Sequence, residues 1–269
     1  MTGLGKLDRK RLAAIIRGTK DTITVQEASK ILSIAPSDAA KLLARWTQKG
    51  WLSRVRRGMY VQIPLESRTT EMPLEDPWVI AERLFAPCYI GGWSAAEYWD
   101  LTEQVFRTIV VITVQKPRNR SPVIKGTKFL LRTTSAKFIF GLKSIWRGQT
   151  KVSVSDPSRT IIDMLAELRL GGGIRLAADM FTNYLNSGNK NLPLLIEYAK
   201  RLNNGAVFKR LGFLLERLAP AEKSAIDDSR SALTTGYIKL DPALNKYRLV
   251  TRWRLWLPRS WDSNIQNKV

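Results

Sequence analysis

The order of helical and strand-like patterns in the first 63 residues restricts the fold of this chain more than any other feature. Apolar residues recur at helical spacing in three consecutive segments, which begin at residues 7, 24 and 37. Two short strand-like runs, WLSRV and MYVQI, follow them, and Arg56-Arg57-Gly58 lies between the runs. Three helices followed by a hairpin with a basic tip predict a winged helix-turn-helix over residues 1–63, a fold typical of DNA-binding proteins.

Local patterns predict where these helices begin and which faces they bury. Thr24 and Glu27 have the spacing of a capping box at the start of the second helix. Ser37 or Asp38 is placed to cap the third helix. Gly58 is suited to the positive φ that hairpin turns often need. The predicted buried stripes are Leu7, Leu12, Ile15 and Ile16, then Val25, Ala28, Ile31 and Leu32, then Ala39, Leu42, Leu43 and Trp46.

The third helix and the hairpin carry the candidate DNA contacts. A recognition helix must present groups that pair with phosphates and base edges, and wing arginines hold phosphate or enter a narrow minor groove. Taken singly, such groups are more typical of a solvated surface, so the prediction depends on their joint occurrence. The predicted DNA-binding residues are Ser37, Lys41, Arg45, Gln48, Arg54, Arg56 and Arg57.

Composition limits the chemistry that the chain can perform. Its 269 residues carry a net charge of +21, which favours a polyanionic partner such as nucleic acid. The lack of histidine excludes imidazole catalysis and histidine metal sites, and the single Cys88 excludes an intrachain disulfide. The first residues lack a signal-peptide pattern, and no apolar run reaches the roughly 18 residues of a membrane span. We therefore expect a cytoplasmic protein that binds no membrane and no cofactor.

Beyond the winged helix, the composition and the apolar pattern of the sequence change at residue 64 and again at residue 77. Residues 64–76 are rich in proline and acidic residues and predict a linker. Residues 77–269 mix β-branched runs with amphipathic ones and predict a larger α+β domain, so the fold class is α+β. Predicted strands are a short CYIGG that ends in a turn, RTIVVITV, KFLLRTT, KVSVS and a late YRLVTRWRLWLP. Predicted helices are WVIAERLF, SAAEYWDL capped by Ser94, DPSRTIIDMLAEL capped by Ser155 or Asp156, IRLAADMFTNYL, LPLLIEYAKRL and AVFKRLGFLLERL.

Candidates for catalysis in this domain are weak. Asp156 and Asp163 lie on one helical segment and Asp227 and Asp228 are adjacent, but neither pair has the lysine context of a metal nuclease. Helix capping and surface placement are favoured for them. In the closing segment, alternation favours core packing for Trp253 and leaves Trp256, Arg252 and Arg254 open as base-stacking or phosphate-binding groups.

Several longer segments resemble one family. These are RRGMY, YIGGWSAAEYWDL, RTIVVIT, VSVSDPSRTIIDML and NNGAVFKRLGFLLERL. Together they resemble the AbiEi-type antitoxins of bacterial type IV toxin–antitoxin systems, which act in abortive infection as phage defence. SDPSRTIIDML and VFKRLGFLLE are the most specific parts of the resemblance.

The resemblance implies a transcriptional autorepressor whose winged helix binds inverted repeats in its own promoter. It also implies that the C-terminal domain counteracts a nucleotidyltransferase-like toxin from the same operon, without needing a stable complex. By position, Lys41, Arg45, Arg56 and Arg57 take the DNA-contact role. A repressor that binds two half-sites normally uses two copies, so we expect a dimer on DNA.

Two alternatives stay open at this stage. In the first, the protein is an interaction module whose basic C-terminal domain binds the toxin or RNA, because the excess of basic residues continues beyond residue 63. In the second, the protein is a metal-dependent nuclease or nucleotidyltransferase guided by the winged helix, which requires a carboxylate cluster for the metal.

Overall fold

The structure is a computed structural model that describes residues 5–19, 22–56, 58–62, 76–124, 126–245, 247–258 and 261. The chain divides into two compact units. The first unit contains residues 1–88, 107–133 and 144–153, and the second contains residues 89–106, 134–143 and 154–269. The predicted linker at 64–76 lies outside the described residues except for Asp76. The predicted domain boundaries stay a prediction.

The N-terminal part of the first unit has the element order of a winged helix-turn-helix. Its elements are α1 Lys6–Gly18, β1 Ile23–Thr24, α2 Val25–Leu32, α3 Pro36–Gln48, β2 Leu52–Arg56 and β3 Met59–Gln62. The strands form an antiparallel sheet in the order β1-β3-β2. The three helices and the hairpin agree with the prediction. β1 is missing from the predicted elements because two residues are too few to show alternation.

The helices of this winged helix bury their apolar stripes in one common core. Its fully buried members are Leu12, Ile15, Ile23, Ala28, Ala39, Leu42, Leu43, Trp46, Leu52 and Tyr60. The predicted stripe of α3 is buried throughout. The prediction for Leu7 is wrong: this side chain is 61% exposed, because the first turn of α1 lies outside the cluster.

The start of α3 differs from the prediction. Neither Ser37 nor Asp38 caps the helix; Ala35 is the N-cap residue and makes no side-chain cap bond. Pro36 is the first helical residue, where the proline ring fixes a helical φ and the missing N–H would have no intrahelical partner. The helix therefore begins before Ser37, whose side chain is exposed in the first turn.

Beyond residue 76 the two units contain seven α-helices and nine strands among the described residues. They are α4 Pro77–Phe85, β4 Cys88–Ile90, α5 Gly92–Tyr98, β5 Thr108–Thr113, β6 Val123–Ile124, β7 Thr127–Thr133, β8 Leu142–Arg147, β9 Thr150–Ser155, α6 Pro157–Ala166, α7 Ile174–Asn186, α8 Leu192–Leu202, α9 Gly205–Leu218, α10 Lys223–Ser231, β10 Ile238–Lys239, β11 Tyr247–Val250 and β12 Leu255–Pro258. The α+β class is thereby confirmed.

Strand pairing in this region is mixed. In the first unit, β5 and β7 run parallel with Thr108 opposite Lys128, and β6 pairs antiparallel with β7. In the second unit, Ile90 of β4 pairs parallel with Val154 of β9. The predicted helices and the first four predicted strands are present. The predicted elements lack β6, β8, α10 and β10, of which β6 and β10 have two residues each and α10 is mostly polar.

Two local predictions in the second unit need correction. The segment predicted as one late strand forms β11 and β12, because a 3-10 turn at Thr251–Trp253 and Arg254 in the left-handed region (φ 52°) reverse the chain. The two strands pair antiparallel with Leu249 opposite Trp256. Ser94 does not cap α5; the helix begins at Gly92 with an extended Gly91 as N-cap.

The core of the second unit surrounds α6. Every residue from Pro157 to Leu165 is buried, including the charged Arg159 and Asp163. Apolar side chains of α7, α8 and α9 complete this core. The predicted cap is confirmed: Asp156 accepts a hydrogen bond from the Arg159 backbone N–H at 2.8 Å, and Pro157 is the first helical residue.

Candidate nucleic-acid interface

The third helix, α3, has a buried apolar face and an exposed polar face. Trp46 and Leu43 are fully buried, and they fix α3 to the core of the winged helix. The side chains predicted to contact DNA on this helix are all exposed: Ser37, Lys41, Arg45 and Gln48. They follow one another at steps of four, four and three residues, which places them on one side of an α-helix. The structure thus brings these four predicted residues together.

Arg45 is held in place by a residue that the sequence pattern did not single out. Its Nη2 atom donates to both carboxylate oxygens of Asp8 in α1, at 2.9 and 3.1 Å. Asp8 is mostly buried, whereas the Arg45 side chain stays 51% exposed. This ion pair orients the guanidinium at the edge of the α3 surface. Lys41 has a weaker partner, since its Nζ lies 3.6 Å from Asp38 and both side chains are mostly exposed.

The wing is formed by β2 and β3. Arg54 pairs with Tyr60 and Arg56 with Met59, so a β-bulge lies between Arg54 and Arg56. A bulge bends its strand and increases the local twist. Gly58 has φ +81°, as predicted, and its carbonyl accepts a hydrogen bond from Val25 N–H at 3.1 Å. This bond ties the wing to the start of α2.

The predicted wing contacts are described only in part. Arg54 is exposed on β2. The structure describes Arg56 by its backbone alone, and Arg57 lies outside the described residues. The DNA-contact roles of these three arginines stay predictions.

A cluster of hydrogen bonds fixes α2 to α4. Thr24 and Glu27 form the predicted capping box, with Glu27 N–H donating to Thr24 Oγ1 at 3.2 Å and Thr24 N–H donating to Glu27 Oε2 at 2.9 Å. Arg83 of α4 donates from Nη2 to Glu27 Oε1 at 2.8 Å and from Nε to the buried Thr22 hydroxyl at 2.7 Å. The segment that leads into α3 is therefore anchored by a residue outside the winged helix itself.

Residues 10–61 match the model of a family described as a transcriptional regulator, AbiEi antitoxin. This segment is similar to AbiEi antitoxin regulators. The match covers most of α1, both following helices and the wing strands, and over these residues it confirms the resemblance to AbiEi-type antitoxins. It supports a DNA-binding antitoxin and suggests a non-enzymatic role. Among curated proteins, none matches the chain.

The hydrogen bonds and the ion pair of Glu27 make the stability of the winged helix depend on pH. Burial acts to raise the pKa of Glu27, but hydrogen bonds from Thr24 and the charge of Arg83 together lower it below the usual 4.5. A carboxylate with a lowered pKa contributes stability above its unfolded-state pKa, and this contribution is lost as the pH falls through the folded-state pKa.

We expect Glu27→Gln to lower the free energy of unfolding by about 0.5–1 kcal/mol near neutral pH, since the ion pair is partly exposed. The difference from wild type should shrink towards zero well below pH 4.5, where Glu27 is protonated and neutral. Glutamine keeps the reach to the Thr24 N–H that a capping box needs. Urea denaturation of both proteins at several pH values measures the difference. A difference that is constant across pH would contradict the role of the Glu27 charge.

The carboxylates considered for catalysis have structural partners. Asp163 accepts hydrogen bonds from Arg159 Nε and from the Tyr89 hydroxyl, both at 2.9 Å. Asp156, besides capping α6, accepts one from the Tyr198 hydroxyl at 2.9 Å. Burial raises the pKa of Asp163, while the Arg159 guanidinium and the Tyr89 hydroxyl oppose that rise. Both carboxylates therefore serve the packing and capping of α6.

The exposed pair Asp227 and Asp228 binds basic side chains. Asp227 lies 3.8 Å from Arg230 and Asp228 lies 3.6 Å from Lys200. In the described ranges, no group of three or more acidic, histidine or cysteine side chains is arranged to hold a metal ion. The helices in those ranges are also too short or too polar to cross a bilayer.

Proposed function

We propose that this protein is a transcriptional autorepressor that binds inverted repeats in its own promoter. We also propose that it counteracts a nucleotidyltransferase-like toxin encoded in the same operon. The observation that carries the proposal is the exposed row of α3, Ser37, Lys41, Arg45 and Gln48, within a segment that matches AbiEi antitoxin regulators. The net charge of +21 gives the attraction to DNA that such a repressor needs.

The charged and the neutral side chains of the exposed row of α3 suit different contacts with DNA. Lys41 and Arg45 carry the charges that neutralise phosphates, which gives salt-dependent affinity. Gln48 and Ser37 are neutral groups that both donate and accept hydrogen bonds, so they suit base edges and phosphate oxygens. Asp8 presents the Arg45 guanidinium in one orientation, which reduces the entropy cost of its binding.

Two copies of the protein would occupy one operator. An inverted repeat has two-fold symmetry, so each half-site receives one α3 in the major groove, with half-sites one or more helical turns apart. The wing arginines Arg54, Arg56 and Arg57 would hold the flanking phosphates or the minor groove.

We expect purified protein to protect an inverted repeat upstream of its own gene in a footprint, and to shift that DNA in a gel. Lys41→Ala and the double variant Arg56→Ala/Arg57→Ala should bind this DNA more weakly. The steepness with which the logarithm of the binding constant falls with the logarithm of the salt concentration should decrease by about 1 for each phosphate that is no longer neutralised. Gln48→Ala should instead weaken the preference for the operator over unrelated DNA, by about 1–3 kcal/mol if it reads a base.

Lys200→Ala is the matched control for the removal of one positive charge. Lys200 is exposed on α8 and its Nζ lies 3.6 Å from Asp228. This variant should bind the operator like wild type. Equal weakening by Lys200→Ala and Lys41→Ala, or equal binding to any DNA, would mean that net charge alone drives the association. Protection of no site at all would contradict the autorepressor.

A further inference from the structure

The small sheet near the end of the second unit has an exposed aromatic face. The sheet has the strand order β10-β12-β11. Lys239 of β10 lies opposite Trp256 of β12, and Trp256 lies opposite Leu249 of β11. Tyr237 directly precedes β10, and alternation extended by one residue places it on the same side as Lys239. We define these four residues as the β12 face.

The β12 face is exposed, whereas the side chains on either side of Trp256 along β12 are buried. Tyr237 is 52% exposed, Trp256 40% and Leu249 38%. The neighbours of Trp256 along β12, Leu255 and Leu257, are fully buried and form part of the core. One side of β12 therefore faces the core, and the indole of Trp256 lies on the opposite, exposed side.

Trp253, three residues before Trp256, is buried and not exposed. Trp253 is fully buried, and its Nε1 donates to Glu216 at 2.6 Å. The same carboxylate pairs with Arg252 at 2.8 Å. Trp253 therefore lies in the core, as predicted, and Trp256 lies at the surface.

The charge around the β12 face is positive. Residues 232–258 contain five basic residues and one acidic residue, Asp241. Asp241 is buried, and its carboxylate accepts hydrogen bonds from the backbone N–H groups of Ile174 and Ala243. Lys239 lies within the face itself, directly beside Trp256.

We propose that the β12 face binds single-stranded RNA, with bases stacked on Trp256 and Tyr237 and a phosphate bound by Lys239. Bases of a duplex are stacked within it, so an indole standing on a sheet surface can stack only on an unpaired base. Aromatic rings on a β-sheet with basic residues between them are the arrangement that suits such a strand. A lysine in the middle of the patch argues against a protein partner, because the cores of protein interfaces are depleted in lysine.

The test is a fluorescence-anisotropy titration of the full-length protein with a labelled, unstructured RNA of about 12 nucleotides, a length within the usual range for one binding surface. We expect Trp256→Ala to weaken binding about tenfold and Trp256→Phe to keep most of it, because phenylalanine also stacks. Lys239→Ala should lower the salt slope by about 0.7, the value for one phosphate of a single strand.

Trp146→Ala is the matched control. Trp146 is 69% exposed on β8, so its replacement removes an indole elsewhere in the chain that is more accessible than Trp256. This variant should bind RNA like wild type. Equal weakening by Trp146→Ala and Trp256→Ala, unchanged binding by Trp256→Ala, or tighter binding to single-stranded DNA of the same sequence would each overturn the proposal. Self-association of the wild type that Trp256→Ala abolishes would also overturn it, since the face would then bind a second copy.

The same variants separate this proposal from the operator proposal. Trp256→Ala should bind operator DNA normally, and Lys41→Ala should bind the RNA normally. If the wild type does not bind the operator, the RNA titration still tests the β12 face, because the two experiments depend on different residues. Competition of duplex DNA for the RNA site, measured with the Lys41→Ala variant, would overturn the proposal, since the β12 face would then bind any polyanion.

Discussion

Replacing Asp163 with alanine is expected to lower the free energy of unfolding by about 3–5 kcal/mol, which is a large part of the stability of a typical domain. Asp163 and Arg159 lie one helical turn apart on α6, and their exposed fractions are 6% and 1%. Removal of the carboxylate leaves the Arg159 charge in the core with one neutral partner, the Tyr89 hydroxyl at 3.0 Å from Nη2. A buried charge without its counter-charge is among the most destabilising changes in a protein.

The surroundings of Arg159 offer little compensation. Its guanidinium carbon lies 4.0 Å from the centre of the Phe140 ring, and its Nη1 has no hydrogen-bond partner in the part of the chain that the structure describes. A cation–π interaction is worth about 2 kcal/mol when desolvated. It therefore cannot replace the ion pair with Asp163.

Chemical denaturation of three variants separates this charge effect from a simple packing defect. Asp227→Ala removes an exposed carboxylate with a longer ion pair, 3.8 Å to Arg230, and should cost no more than about 0.5 kcal/mol. The double variant Arg159→Met/Asp163→Leu removes both charges and should recover most of the stability that Asp163→Ala removes. If the double variant is as unstable as the single one, the packing around α6, and not the unpaired charge, sets the cost.

The winged helix could be predicted in detail because its determinants are local. The capping box needs only Thr24 and Glu27, three residues apart, and the core stripe of α3 follows from helical periodicity. The cap of α6 by Asp156 and the burial of Trp253 were predictable for the same reason. In each case the determining residues lie within a few positions of one another in the chain.

The interactions that the sequence did not reveal join distant residues. Asp8 binds Arg45 across 37 positions, and Arg83 binds Glu27 across 56. Nothing in the spacing of these residues indicates a pair. The break between β11 and β12 was missed because alternation continues through Arg254, which adopts a left-handed conformation that a non-glycine residue rarely adopts. For the candidate interface, the sequence predicted the exposed row of α3 but not the Asp8 carboxylate that orients one member.

Replacing Gly212 with alanine is expected to destabilise the protein by about 2–3 kcal/mol, although alanine favours a helix interior by about 1 kcal/mol over glycine. Gly212 lies within α9 and faces the indole of Trp253. A methyl group at this position would overlap the Cζ3 and Cη2 atoms of the indole and lie 2.8 Å from Cε3. The helix preference is therefore opposed by a larger steric cost.

The indole cannot move away without further cost. Trp253 is fully buried and donates from Nε1 to Glu216, so a shift of the ring would break that bond and disturb the core. Close-packed interiors tolerate an extra methyl group poorly when the neighbour is rigid. Tight approach of α9 to the turn before β12 thus requires glycine at this one position.

Two variants test whether the steric clash sets the cost of Gly212→Ala. Gly188→Ala introduces the same methyl group where no atom lies within 4 Å, so urea denaturation should show little change. In a Trp253→Leu background, leucine lacks the outer indole ring, so Gly212→Ala should become nearly neutral or stabilising. A cost that persists unchanged in that background would contradict the clash with the indole and place its origin in the backbone of α9.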